Sequence, residues 1–197
     1  MKEIFNQIWE RALPYQDKRD DTGHAEVSLK YARELVSLED GNEDVIIPAI
    51  ILHDIGYSQL EKERRLLVFD KDIKEEDRRI VQLEHQNESV KLGGDILRKL
   101  NYPEELTKEI LEIVSQHDTR VGFISKNEGL VRDADKLWRT SKEGFAASEV
   151  RRIAHNRPPD ESMWKKISEN IDKPGYFYSE MARQIALADL KLISLNK

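Results

Sequence analysis

The chain has 197 residues, with 32 Lys and Arg against 38 Asp and Glu, a formal net charge of −6, and no cysteine. That length gives one substantial core as the default, and the acid excess argues against a general nucleic-acid or anionic-membrane binder. Without thiols there is no disulfide framework, and any metal must be held by nitrogen and oxygen. The longest apolar run, residues 45–52, is far shorter than the roughly 20 residues of a membrane span, and Met1-Lys-Glu-Ile-Phe-Asn lacks the apolar region of a signal peptide. A cytoplasmic protein with a small ligand is therefore expected.

Ile4, Phe5, Ile8, Trp9 and Leu13 recur at helical spacing before Pro14 stops the pattern, which predicts a short packing helix over 2–13. Asp21 or Thr22 can cap a second helix running to about residue 38, with His24 in its first turn and Val27, Tyr31, Leu35 and Leu38 on its inner face. His24 lies three residues before Val27, so it points inward too. Glu39-Asp-Gly-Asn signals a turn, and Asn42 caps a third helix in which Pro48 is the least comfortable residue.

The third helix carries Val-Ile-Ile-Pro-Ala-Ile-Ile-Leu-His-Asp-Ile-Gly-Tyr over 45–57. Ile46 and Ile50 share a stripe, and His53 and Asp54 follow Ile50 at helical spacing, on the edge of the same buried face. A buried imidazole and carboxylate are costly unless something satisfies them, and a divalent metal satisfies both. Gly56 is expected to end the helix in a left-handed cap.

Residues 58–79 are rich in Lys and Arg but broken by Leu66-Leu-Val-Phe, which fits either a loop or irregular helix beside the site that covers it or a solvated connection. Over 75–100, Ile80, Leu83, Val90, Leu92, Ile96, Leu97 and Leu100 keep a helical rhythm with His85 inside the pattern, interrupted by Gly93-Gly94, glycines that can permit close helix packing. A strongly periodic helix over 104–117 puts Leu106, Ile110, Ile113 or Val114, and finally His117 on one face. Over 125–138 the spacing of Val131, Asp135 and Trp138 turns the Asp135 carboxylate inward. Segments 141–155, 160–171 and 177–195 read as further helices, split by Asn156-Arg-Pro-Pro and Lys173-Pro-Gly. With no strand pattern and no repeat, the fold class is all-α.

Four of the five histidines and two aspartates thus share one pattern, a metal-capable side chain on an apolar helix face. Any one of them alone is more often a satisfied core residue. Six together would each need a separate partner, whereas one shared metal centre satisfies them all.

The order His24, His53-Asp54, His85, His117, Asp135 resembles the HD superfamily of metal-dependent phosphohydrolases, all-helical bundles named for the adjacent His-Asp pair. Leu52-His-Asp-Ile-Gly and Asp133-Ala-Asp-Lys-Leu are similar to the family's two strongest local signatures, and His85 with Ser89, Gly93 and Ile96-Leu97 to its middle motif. The resemblance covers about 20–140 and leaves 141–197 as a helical C-terminal extension of the same domain, covering the core or making a homodimer contact. It implies that His24, His53, Asp54 and Asp135 hold one metal. It also implies that His85 and His117 mark the members with two metals, where Asp54 bridges; otherwise these two histidines serve the substrate as phosphate ligands or proton donors. Asp118 and Asp133 are expected to flank the site rather than ligate.

Such nitrogen and oxygen ligands suit Mn, Fe, Co, Ni or Zn. Divalent metals lower the pKa of water so that hydroxide is available near neutral pH, which makes phosphate ester or anhydride hydrolysis feasible without a nucleophilic side chain. The expected substrate is small, phosphorylated and nucleotide-type, with Asp54, His85 and His117 in the chemistry and Lys136, Arg139 and Arg120 binding phosphate. Arg151 and Arg152 are further candidates, and His155 reads as a cap or surface residue. Tyr57 stands where cyclic-dinucleotide phosphodiesterases of the superfamily usually carry Lys, which disfavours that substrate. The competing readings are a non-catalytic metal- and nucleotide-binding signalling module and a di-iron oxygenase.

Overall fold

Every residue from 45 to 57 is buried, so this stretch has no polar face to offer solvent and the other helices must surround it. In the computed structural model, which describes residues 1–70, 72–154 and 162–195, it forms the axis of an all-α fold with no strand among the described residues. The axis is α3 (Glu43–Leu52), preceded by α1 (Glu3–Ala12) and α2 (His24–Glu39). It is followed by α4 (Lys62–Leu66), α5 (Glu75–Lys99), α6 (Glu104–Gln116) and α7 (Lys126–Leu137). Around α3 pack α1, α2, α5, α6 and α7. The C-terminal extension is α8 (Lys142–Ala154), α9 (Ser162–Ile171) and α10 (Glu180–Leu195), with α10 against α2 and α7. No helix among the described residues is long and apolar enough to cross a membrane.

Asn42 caps α3 as its sequence predicts, accepting from the Asp44 main-chain N–H at 3.0 Å, an interaction worth about 1 kcal/mol. Pro48 sits inside the helix and has no N–H to give the Asp44 carbonyl. The Tyr102 hydroxyl takes that role, donating to Asp44 O at 2.7 Å and mending the ladder. At the other end the buried Gln16 amide donates to Ile51 O at 2.6 Å, satisfying one of the carbonyls a helix terminus leaves open.

Several local expectations are corrected. The cap of α2 is neither Asp21 nor Thr22: Asp17 reaches forward and accepts from the N–H groups of Gly23 at 2.7 Å and Ala25 at 3.0 Å. Leu38, in the last turn of α2, is exposed, whereas Val27, Tyr31 and Leu35 are buried. On α5, Ile80 and Leu83 are exposed and Val81, His85, Gln86, Ser89, Gly93, Ile96 and Leu97 form the buried face. At Gly93 and Gly94 the apolar rhythm pauses but α5 runs on, packed close against Leu52 and Leu111 as the glycines allow. Gly56 is no left-handed cap: α3 stops at Leu52, residues 55–59 form a 3-10 turn, and Gly56 is required by its close approach to α5.

Residues 58–70 fold as α4 and a 3-10 turn over Leu67–Phe69, fastened to α5 by a two-pronged pair of Arg64 with Glu84 at 2.8 Å on each arm. Asn156-Arg-Pro-Pro and His155 lie outside the described residues.

Candidate metal centre

Helix ends deliver most of the cluster. His24 opens α2, His53 caps the C-terminus of α3, and His117 caps that of α6. Asp54 follows at φ −109°, ψ 1°, the sparsely populated bridge region common among active-site residues. His85 comes from the middle of α5 and Asp135 from α7. Five of these six side chains are buried, Asp135 partly so.

Two groups share Asp54. Ligand-capable atoms of His24, His53, Asp54 and Asp135 lie within 4.8 Å of one another, as do those of Asp54, His85 and His117. Asp54 Oδ2 faces His24 Nδ1 at 3.6 Å and His53 Nε2 at 3.4 Å, while Oδ1 faces His85 Nε2 at 3.4 Å and His117 Nε2 at 3.3 Å. Asp135 Oδ1 closes the first group, 2.9 Å from His24 Nε2 and 3.6 Å from His53 Nε2. The carboxylate of Asp54 thus belongs to both groups, one oxygen facing each.

The histidines are oriented from behind. His53 Nδ1 lies 2.7 Å from Ile50 O, His117 Nδ1 2.9 Å from Val114 O, and His85 Nδ1 3.3 Å from Val81 O. A carbonyl oxygen can only accept, so each Nδ1 carries the proton and each Nε2 presents a lone pair to the cluster in the neutral ring. Tyr57 stacks on His85 with ring centroids 3.9 Å apart, and Trp138 packs edge-on against His24 at 5.3 Å.

The donor set fits a divalent metal. Among the described residues, His53 Nε2 and Asp54 Oδ1 are buried with no hydrogen-bond partner, a costly condition for a lone pair and an anionic oxygen that a cation at that point relieves. Burial opposes the charge on Asp54, but Arg19 and then His53 outweigh it and hold its carboxyl well below the usual range. For Asp135, burial is likewise overcome by His24 and His53. Burial pushes His85 below its ordinary value, whereas at His117 the same penalty is reversed by Asp54 and Asp118, which raise the ring to about 9. The two groups thus keep their carboxylates ionised while protons and metals compete for the imidazoles.

Above the cluster is a cavity of about 250 Å³, bordered by His24, Asp54, Asp118 and Asp135 below. Arg19, Arg139 and Arg151 and the rings of Phe69, Trp138 and Phe145 line its walls, and Ile167 of α9 belongs to its rim. The C-terminal helices α8 and α9 thus cover the site, and Phe69 places the 58–70 segment beside it. Asp118, read as a flanking group, stands with Oδ2 3.7 Å from His85 Nε2 and 3.9 Å from His117 Nε2. Asp133 is fully buried and accepts from the N–H groups of Tyr178 at 2.9 Å and Ser179 at 2.8 Å, docking the start of α10 onto α7.

The three cations expected to bind phosphate part company. Arg139 lines the cavity. Lys136 points away from it, donating to Tyr176 O between the rings of Phe123 and Tyr176, where burial lowers its pKa to about 8. Arg120 pairs with Glu112 and with Glu128, the latter at 3.1 Å, and is also outside the cavity lining. Sequence reading missed Arg19, whose signal was an arginine set among Asp17, Asp20 and Asp21 just ahead of His24. It also missed Phe69, Phe145 and Ile167, which nothing in their local patterns marks as site residues.

No curated protein matches the chain. One solved structure that does, of a predicted HD superfamily hydrolase from an uncultured Thermotogales bacterium, aligns over 98% of this chain and 86% of its own, with TM-score 0.60 and 19% sequence identity. That likeness extends the shared fold through the C-terminal helices. The HD domain family model matches residues 23–140, more than half the chain and the stretch from His24 to just past Asp135. By that match, with the His-Asp pair at its centre, this chain belongs to the HD domain family.

Proposed function

We propose that the chain is a metal-dependent phosphohydrolase that cleaves a phosphate ester or anhydride in a small, nucleotide-type substrate. One arrangement supports this reading: a shared carboxylate, Asp54, flanked by two histidines at each oxygen, on the floor of a cavity walled by arginines and aromatic rings. His24, His53, Asp54 and Asp135 would hold one divalent ion, and Asp54, His85 and His117 a second. Ions bound there supply an activated water near neutral pH and neutralise phosphate oxygens.

The chain's own residues bind and orient the substrate. Arg139 and Arg151 bring fixed positive charge to the cavity wall, where a guanidinium matches two phosphate oxygens at once. Phe69, Trp138 and Phe145 give a planar base apolar surface to pack on. Cover from α8 and α9 reduces water above the cluster, which strengthens every charge interaction beneath it. His53, His85 and His117 cannot swing away, because each is tied through Nδ1 to a main-chain carbonyl.

The test is phosphate release from nucleoside mono-, di- and triphosphates and simple phosphodiesters by the purified chain supplied in turn with Mn, Co, Ni, Fe and Zn. Turnover that disappears in Asp54→Ala while the helical circular dichroism is kept supports the reading. A folded, metal-loaded chain that binds nucleotide and turns over nothing in that set contradicts it and favours a binding module.

A further inference from the structure

Arg19 lies in the turn ahead of α2, a segment bent by the left-handed residues Asp17 (φ 55°) and Asp20 (φ 54°). Asp21 holds it twice, accepting from its main-chain N–H at 3.1 Å and from its side-chain Nε at 3.0 Å. Its Nη2 donates to Asp54 Oδ2, the same oxygen that faces His24 and His53. The guanidinium packs 4.3 Å from the Tyr57 ring, which itself stacks on His85, and 5.9 Å from the Phe69 ring. Only 14% of the Arg19 side chain is exposed. Burying a guanidinium this deeply is costly, and here both its carboxylate partners and its aromatic neighbours are fixed in place.

We propose that Arg19 is the positioning residue for Asp54. By holding Oδ2 it sets the rotation of the carboxylate, so that one oxygen faces the His24 and His53 pair and the other the His85 and His117 pair. The terminal torsion of an aspartate is broad and roughly two-fold, and among the described residues Oδ1 has no hydrogen-bond partner to stop it turning. The task needs a planar fork that reaches Asp21 and Asp54 together and slides between rings, which a lysine ammonium cannot supply. The inference rests on the metal-binding part of the reading above and not on the substrate.

Its sign sets it apart from simple electrostatics. If Arg19 acted only as a nearby positive charge, removing it would strengthen binding of a cation. A lost orienting partner weakens metal binding instead, typically about 10–100-fold.

The experiment titrates Co²⁺ into the full chain and into Arg19→Ala, Arg19→Lys, Asp21→Ala and the Arg19→Ala/Asp21→Ala double variant. Affinity is read by competition with a chromogenic chelator, coordination by the visible bands of bound cobalt, and folding by melting in excess chelator. Both Arg19 variants are expected to lose about 10–100-fold in affinity and to shift the cobalt bands. Asp21→Ala, which removes the tether without touching Asp54, moves the same way, and the double variant is no weaker than Arg19→Ala. Affinity unchanged or raised in Arg19→Ala, or full rescue by Lys, overturns the proposal. A parent chain that binds no cobalt overturns it together with the metal centre itself, which separates the two failures.

Discussion

The main chain of Gly56 runs so close to that of His85 that a Cβ on Gly56 would lie 2.0 Å from the His85 carbonyl oxygen and 2.4 Å from Ser89 N. Gly56 N–H also donates to the Ser89 hydroxyl at 2.8 Å. This contact locks the turn after His53 and Asp54 onto the helix that carries His85. The two candidate groups therefore hold their register through the close approach of a glycine and its bond to the Ser89 hydroxyl.

Gly56→Ala should force the turn off α5, because the clashing atoms are backbone and cannot rotate aside. The expected cost is about 1–3 kcal/mol, a fall of several degrees in melting temperature for a chain of this size, with weaker metal retention. Thermal denaturation with and without metal measures both, and an unchanged melting temperature would show that the contact relaxes at little cost.

With only the protein's own groups around it, His117 is raised to about 9, burial being outweighed by Asp54 and Asp118, and His53 is raised against burial by Asp54 and Asp135. An imidazole must shed its proton to ligate, so metal binding near pH 7 releases protons. Affinity should rise with pH up to about the His117 value and fall as pH drops below it. Calorimetry in two buffers of different ionisation enthalpy should detect about one proton or more released per chain. Binding heats independent of buffer, with affinity flat between acid and neutral pH, would contradict this.

Arg139 lines the cavity whereas Lys136 and Arg120 are engaged outside it, with Tyr176 and with Glu112 and Glu128. Arg139→Ala should raise KM for a phosphorylated substrate by about 10–100-fold, the loss of a charge-assisted hydrogen bond, with a smaller change in kcat. Lys136→Ala and Arg120→Ala should leave KM within a few-fold of the parent and lower stability instead. Steady-state kinetics on the best substrate decides, and the opposite ranking would mean that the cavity is not where phosphate binds.

Apolar helix faces made much of the cluster legible, since His24, His53, His85 and His117 each adjoin a stripe of aliphatic residues whose inward direction periodicity reveals. Periodicity does not give the centre of a stripe, which is why Leu38, Ile80 and Leu83 turn out exposed. Nor does it reveal contacts that span the fold. Asp17 caps α2 from across a turn, Tyr102 mends the ladder broken by Pro48, and Gly56 answers to the backbone of α5. Arg19, held by Asp21, reaches Asp54 from the turn ahead of α2, and Phe145 and Ile167 come to the cavity from α8 and α9. Apart from the aspartates that surround Arg19, these relations are set by tertiary packing and leave no local signature.

The most direct test of the account is metal content by mass spectrometry on protein purified without added metal or chelator, beside Asp54→Ala and His85→Ala. About two ions per chain are expected in the parent, about one in His85→Ala and none retained in Asp54→Ala, whose carboxylate serves both groups. A parent chain that carries no metal, even after soaking in Mn, Co or Zn and removal of the excess, would contradict it.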